Sequence, residues 1–243
     1  MSQRKFSKIA VVGGSSEIAV AILRNLPPAD EALLAGRDEK RLLVAASALE
    51  GWNVRTVSGV ISSEAGIREM LAKFPDRLDL AIVAQGILGS SSALHEGEEI
   101  AQLFRVNLEG PAMWLSALAE KYGDQDCRIC VISSVAGDRG RASNYLYGAS
   151  KAGLSVFAEG LAMRCFQEGK KCRFTILKPG LVRTRMTAGR EDMRLAADCD
   201  AVGRTAARAL LAGKAVVYAP FWWRYAMLAV RMLPAFVMRR LRS

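Results

Sequence analysis

Short apolar runs separated by amphipathic stretches recur along the 243 residues of this chain, and that alternation limits the possible folds more than any other feature. Residues 9–12, 32–35, 78–84, 128–132 and 173–177 form runs too short to be helices. Between them, helical spacing of apolar residues covers a stretch that ends at Leu26, then 38–49, 63–74, 98–122 and 150–166. Strands that alternate with helices pair in parallel, because a parallel pair needs a crossover and a helix is the usual one. The expectation is an α/β fold, a doubly wound parallel sheet with helices on both faces. With 51% hydrophobic residues the chain can bury one substantial core. One domain is expected over residues 1–218, followed by a tail, 219–243, of different composition.

The opening residues are polar and charged rather than a secretory signal, so cytosolic folding is the expectation. Five cysteines are scattered, and the C-x-x-C at 127–130 runs into a strand with no second pair at zinc-ligand spacing. Buried or free thiols are expected, and no metal site.

Gly13-Gly14-Ser15-Ser16 follows the first apolar run and opens a helical pattern. A turn of this kind aims backbone amides and a helix N-terminus at a phosphate group, which makes Gly13, Ser15, Ser16, Glu17 and Ile18 candidate contacts. A three-glycine fingerprint would continue at positions 17 and 19, where this chain has Glu17 and Ala19. Alanine keeps the small size needed for packing. Glu17 instead brings a carboxylate that a pyrophosphate repels, unless it turns away or meets a donor. The second run ends Ala35-Gly36-Arg37. An acid there would take the ribose 2′-hydroxyl of NAD, whereas the guanidinium fork of Arg37 suits a 2′-phosphate, so NADPH is expected in preference to NADH.

Residues 134–151 carry the side chains with chemistry in them. Tyr147 and Lys151 are four apart, so a helix opening near Gly148 sets both on one face. An ammonium beside a phenol favours phenolate, and is expected to lower a pKa that starts near 10. Ser134 follows the apolar 130–132 run and could meet a carbonyl lying over the helix start.

Together these residues resemble the short-chain dehydrogenase/reductase family over about residues 8–218: the glycine turn, Asn107, Ser134, Y-G-A-S-K at 147–151 and P-G-L-V-R-T at 179–184. The resemblance implies a Rossmann-type fold and hydride transfer to a ketone. It implies Tyr147 as proton donor and Ser134 as the group that orients the carbonyl. Lys151 would hold the nicotinamide ribose, and Asn107 would support a water linked to the lysine. It also implies Pro179, Gly180, Val182 and Thr184 beside the nicotinamide, with Ala84 and Gly86 on the cofactor. Two places depart from the pattern: Val83-Ala84-Gln85-Gly86 stands for N-N-A-G, and the acid expected after the third strand is missing near Ser58.

Within the family the motifs further resemble reductases that act on a polyprenyl-phosphoryl keto-pentose, a lipid-linked sugar of cell-wall biosynthesis. In that pathway a flavin-dependent oxidase makes the ketone. Arg139, Arg141, Arg183 and Arg185, with Asn144, are then candidates for the substrate side, one or two of the arginines meeting an anionic group. A soluble ketone or acyl thioester is the alternative substrate, and a nucleotide-sensing protein without turnover the alternative class. Segments 98–122 and 150–166 are apolar on more than one face, which resembles the family's dimer interface and implies a homodimer or homotetramer.

The formal net charge is +10, and no Asp or Glu follows Asp200 while eight basic residues do. Bulky apolar residues lie between those cations, a mixture that suits an anionic lipid surface better than nucleic acid. Arginines interrupt residues 221–243 too often for a membrane span, and Pro234 should break the segment into two helices, the second over 235–241. The tail is expected to lie on the cytoplasmic leaflet; the alternative is that it packs over the substrate cleft or a dimer interface.

Overall fold

The computed structural model describes residues 5–89, 97–189, 193 and 196–240. Its strands are β1 (Lys8–Val12), β2 (Glu31–Gly36), β3 (Val54–Ser58), β4 (Leu80–Val83), β5 (Arg128–Ile132), β6 (Arg173–Pro179) and β7 (Val216–Ala219). They form one seven-stranded sheet in the order β3-β2-β1-β4-β5-β6-β7, with every pairing parallel. The helices are α1 (Glu17–Arg24), α2 (Glu39–Ser47), α3 (Glu64–Leu71), α4 (Gly97–Phe104), α5 (Gly110–Tyr122), α6 (Tyr145–Gln167), α7 (Cys199–Leu211), α8 (Trp223–Met232) and α9 (Ala235–Met238). The doubly wound parallel sheet expected from the alternation is the fold observed.

Side chains alternate across each strand, so the sheet builds two cores. Ala10 and Val12 of β1 join Trp114, Leu118, Tyr122 and Leu154 under α5 and α6, together with Ile67 and Met70 of α3. Ile9 and Val11 join Ile22, Leu42, Val202 and Leu210 under α1, α2 and α7 on the other face. Strand order reverses between β1 and β4, which opens a crevice at their carboxyl ends.

Three elements escaped the apolar-run reading. Strand β3 is an edge strand with only Val57 buried, so it needs no continuous apolar run, and β7 is an edge strand whose apolar run, V-V-Y-A, is only four residues long. Helix α7 buries mainly alanines and Gly203, where a Cβ would meet the Ala21 backbone at 2.5 Å. The expected helix over 98–122 is in fact α4, one turn of π-helix at Arg105–Glu109, and α5. The helix expected to open near Gly148 begins at Tyr145, because a 3-10 turn at Ala142–Asn144 leads straight into it.

Pro234 separates α8 from α9 as the sequence predicts, and Leu241 lies outside the described residues. One face of α8 is docked on the domain. Met227 is buried, the Trp223 indole lies where a methyl on Gly180 would collide, and Arg139 donates to the Leu233 carbonyl at 3.3 Å. The inner face of α8 thus packs on the domain beside Gly180.

Candidate active site

The glycine turn folds as a cradle. Gly13 has φ +77°, a conformation L side chains avoid, and a Cβ there would meet the Gln85 amide at 2.7 Å. Its amide and that of Gly14 both donate to the Ala35 carbonyl at 2.9 Å, which ties the turn to the end of β2. Ser16 caps α1 by accepting from Ala19 N at 3.4 Å. A cleft of about 510 Å³ opens above, lined by Gly13, Ser15, Ser16, Glu17 and Ile18, by Gly36 to Asp38 and Arg41, by residues 84–89, and by Thr184 to Met186.

Two carboxylates line this cleft, and both are engaged. Asp38 caps α2 through Arg41 N at 3.1 Å and lies 3.3 Å from the Arg41 Nε. Glu17 Oε2 accepts from Arg185 N at 2.7 Å and lies 3.3 Å from Arg185 Nε, while the same guanidinium donates to the Ser15 carbonyl at 3.1 Å. The donor that Glu17 needed is thus Arg185, which lines the same cleft. Arg37 lines the cleft as expected, and Arg41, which sequence reasoning missed, stands with it. A phosphate-cradling turn and a helix N-terminus fit a dinucleotide.

Gly86 links the cleft to the reacting side chains, since a Cβ on it would lie 3.3 Å from Asn107 Oδ1 and 3.4 Å from Lys151 Nζ. Asn107 sits in the π-helical turn and bonds both backbone groups of Ile87, accepting from its N–H at 2.7 Å and donating to its carbonyl at 2.8 Å. Gln85 adds a second stitch, its Nε2 donating to the Val106 carbonyl at 3.3 Å. Lys151 is buried, donates to the Ile132 carbonyl at 3.1 Å, and stands 6.0 Å from the Tyr147 ring centroid. Ser133, which sequence reasoning also missed, ties β5 to α6 by bonding the Lys151 carbonyl at 3.0 Å and Ser155 Oγ at 2.7 Å. Ser134 accepts from Ala136 N at 3.1 Å and lies close enough to Tyr147 to favour its ionised form.

The electrostatics differ from the expectation of a lowered phenol. Burial pushes Tyr147 up to about 12, against the opposing influence of Ser134. Burial also pulls Lys151 down to about 8. Desolvation is the dominant cause of both shifts. At neutral pH the phenol therefore holds its proton.

Below this group, Asp138 and Lys178 form a buried ion pair at 2.7 Å, and the Tyr218 hydroxyl donates to the same carboxylate at 2.8 Å. It joins the turn after Ser134 to the end of β6, just before Pro179, Gly180 and Val182. Asn144 flanks the start of α6, and Arg183 donates to the Met193 carbonyl at 3.5 Å. Of the arginines expected on the substrate side, Arg139 holds the tail and Arg185 the glycine turn, while Arg141 lies half-buried just before the 3-10 turn that leads into α6.

Residues 7–195 match the family model described as short chain dehydrogenase. An uncharacterized oxidoreductase of Mycobacterium tuberculosis is 31% identical over 249 residues, spanning 96% of each chain. Among solved structures, a short chain dehydrogenase/reductase from Burkholderia phymatum in complex with NAD superposes with a TM-score of 0.80 at 19% identity, over 100% of this chain and 98% of that one. An alcohol dehydrogenase from the archaeon Thermococcus sibiricus, complexed with 5-hydroxy-NADP, gives 0.73 at 23% identity, over 87% and 94%. The cradle at the sheet's reversal point, the seven parallel strands and the family model agree: the chain is an oxidoreductase of the short chain dehydrogenase family.

Proposed function

We propose that this oxidoreductase reduces a ketone to a secondary alcohol with NADPH. The observation that carries the reading is Tyr147, a phenol held protonated by burial beside Ser134 and 6.0 Å from the ammonium of the buried Lys151. Bound at the cleft, the nicotinamide cofactor supplies the hydride. Tyr147 gives its proton to the developing alkoxide, and Ser134 donates to the same oxygen. Lys151 and Asn107 act from behind, the lysine toward the ribose and tyrosine, the asparagine by holding the Ile87 loop. Thr184 and Val182 stand on the strand-end segment that would flank the nicotinamide, with Pro179 and Gly180 shaping its start. Arg37 and Arg41 support the preference for a 2′-phosphate, because the acid between them, Asp38, is turned into its helix cap.

The finer reading of the substrate rests on motif resemblance. G-G-S-S-E-I at 13–18, D-L-A-I-V-A-Q-G at 79–86, residues 134–154 and P-G-L-V-R-T-R-M at 179–186 look like decaprenylphosphoryl-2-keto-β-D-erythro-pentose reductase. We therefore take the ketone to be the 2-keto group of a polyprenyl-phosphoryl pentose, supplied by a flavin-dependent oxidase, with the chain working as a peripheral protein on the cytoplasmic face of a membrane. Exposed Val156, Met163 and Phe166 on α6 support a homodimer or homotetramer.

The test is single-turnover NADPH oxidation with a polyprenyl-phosphoryl keto-pentose and with simple soluble ketones, using wild type and Tyr147→Phe. The variant should keep cofactor affinity and lose about a hundred- to ten-thousand-fold in rate. A rate within a few-fold of wild type refutes the role of Tyr147, and turnover of the soluble ketones alone refutes the lipid-linked substrate.

A further inference from the structure

Helix α8 has two apolar faces, and the domain uses one of them. Trp223, Ala226, Met227 and Val230 turn inward, with Met227 buried and Trp223 against Gly180. On the opposite face Tyr225, Leu228 and Met232, spaced three and four apart, are 65%, 58% and 77% exposed. Phe221 before the helix (71%) and Phe236 on α9 (62%) extend the same apolar strip. Arg224 and Arg231 are seven apart and run along one flank, roughly a quarter-turn from the strip, while Arg239 and Arg240 stand at its far end. Both flanking arginines are close enough to Tyr218 to favour its ionised form, so they lie on the side of α8 toward the Asp138 pair.

We infer that this outer face of α8 and α9 docks on an anionic lipid bilayer. A second copy of the chain fits the charges badly. A two-fold contact places the same patch against itself, so it would set Arg224, Arg231, Arg239 and Arg240 against their own copies, and residues 201–243 contain no acid to offset them. Anionic headgroups supply the missing countercharge, while exposed Tyr225 and Trp222 have the amphipathic rings that favour the interface. Because the inner face of the same helix touches Gly180 and the turn carrying Arg139, the docked bilayer would lie next to the substrate-side loops. The inference rests on the lipid-linked reading only for that last point.

The test is co-sedimentation of the full chain with phosphatidylcholine vesicles, with and without phosphatidylglycerol, in the absence of substrate. Wild type should bind the anionic vesicles and release at high salt. Leu228→Glu/Met232→Glu should bind roughly ten-fold less tightly. Arg224→Gln/Arg231→Gln should lose binding to anionic vesicles, and it probes the same face should the glutamate variant fold poorly. Equal binding by wild type and both variants overturns the inference, as does no binding by wild type. So does a glutamate variant whose mass by light scattering falls while its vesicle binding is unchanged, which would give the face to a second copy. Vesicle binding without turnover of the keto-sugar would leave the docking surface standing and remove the substrate reading.

Discussion

Replacing Arg185 with alanine should weaken NADPH binding about ten-fold, and replacing Glu17 with glutamine in the same chain should restore it. Glu17 sits in the first turn of α1, where the proposed diphosphate would meet the helix N-terminus. In the native chain its charge is offset by the Arg185 guanidinium, 3.3 Å away. The Arg185→Ala chain keeps the backbone N–H that holds Glu17 Oε2 at 2.7 Å, so the carboxylate stays in place and only its counterion is lost. Two unit charges about 4 Å apart repel by about 1 kcal/mol in water and about 4 kcal/mol near a protein surface. The Glu17 side chain is 38% exposed, which argues for the lower part of that range. About 1.4 kcal/mol corresponds to a ten-fold loss of affinity. Glutamine at position 17 keeps an acceptor and removes the charge, so the double variant should bind within about two-fold of wild type by the same conversion. Titration followed by nicotinamide fluorescence at low and high salt measures all three chains, and the loss should shrink as salt rises. The reasoning is refuted if Arg185→Ala binds like wild type, or if the second substitution fails to recover the affinity lost in the first.

Arg37→Ala should reduce the preference for NADPH over NADH roughly ten- to a hundred-fold in paired titrations, as befits a lost charge-assisted contact; an unchanged ratio assigns the phosphate to another group. Asp138→Asn leaves the buried Lys178 ammonium without its carboxylate and should cost about 3 kcal/mol or more in urea unfolding. Asp138→Leu/Lys178→Met should regain much of that loss. For Lys151, the folded pKa near 8 lies below the ordinary 10.5, so above pH 8 the unfolded chain binds the extra proton and stability should rise with pH. The rise can reach about 1.4 kcal/mol per pH unit. Tyr147, pushed up from 10.0 to about 12, works in the opposite sense only above pH 10. Between pH 8 and 10, wild type should therefore gain on Lys151→Met, and a constant difference between the two rules out a buried lysine that has to charge.

The parts of the fold written as continuous apolar runs were legible, because central parallel strands are buried on both faces and admit nothing else. Edge strand β3 was not, since its exposed Arg55 and Ser58 break the run, and β7 is an apolar run of only four residues. Helix α7 did carry a helical signal, with Arg204 and Arg208 exposed and Val202, Ala206 and Leu210 buried, although its close packing against α1 takes mostly small side chains. In the site, the closeness of Tyr147 and Lys151 was readable from their four-residue spacing. The partner of Glu17 was not, because Arg185 lies 168 residues away and the two meet only through the return of β6 to the crevice. The direction of the Tyr147 shift was missed for a related reason. A four-residue spacing does not fix how deeply the pair is buried.

The stitching of the 85–87 loop to the π-helical turn ties three positions together in heredity as well as in space. Gln85 serves the Val106 carbonyl, Asn107 holds Ile87, and any side chain at Gly110 would strike the Gln85 amide. The alanine that the N-N-A-G pattern carries at position 85 would leave the Val106 carbonyl without that donor and, in the same stroke, free position 110 to become larger. A large residue at 110 is conversely tolerable only after 85 has shrunk. Position 85 thus gates position 110, and a chimera that exchanges the loop without the helix, or the helix without the loop, should fold worse than either parent although every residue in it is native to one of them.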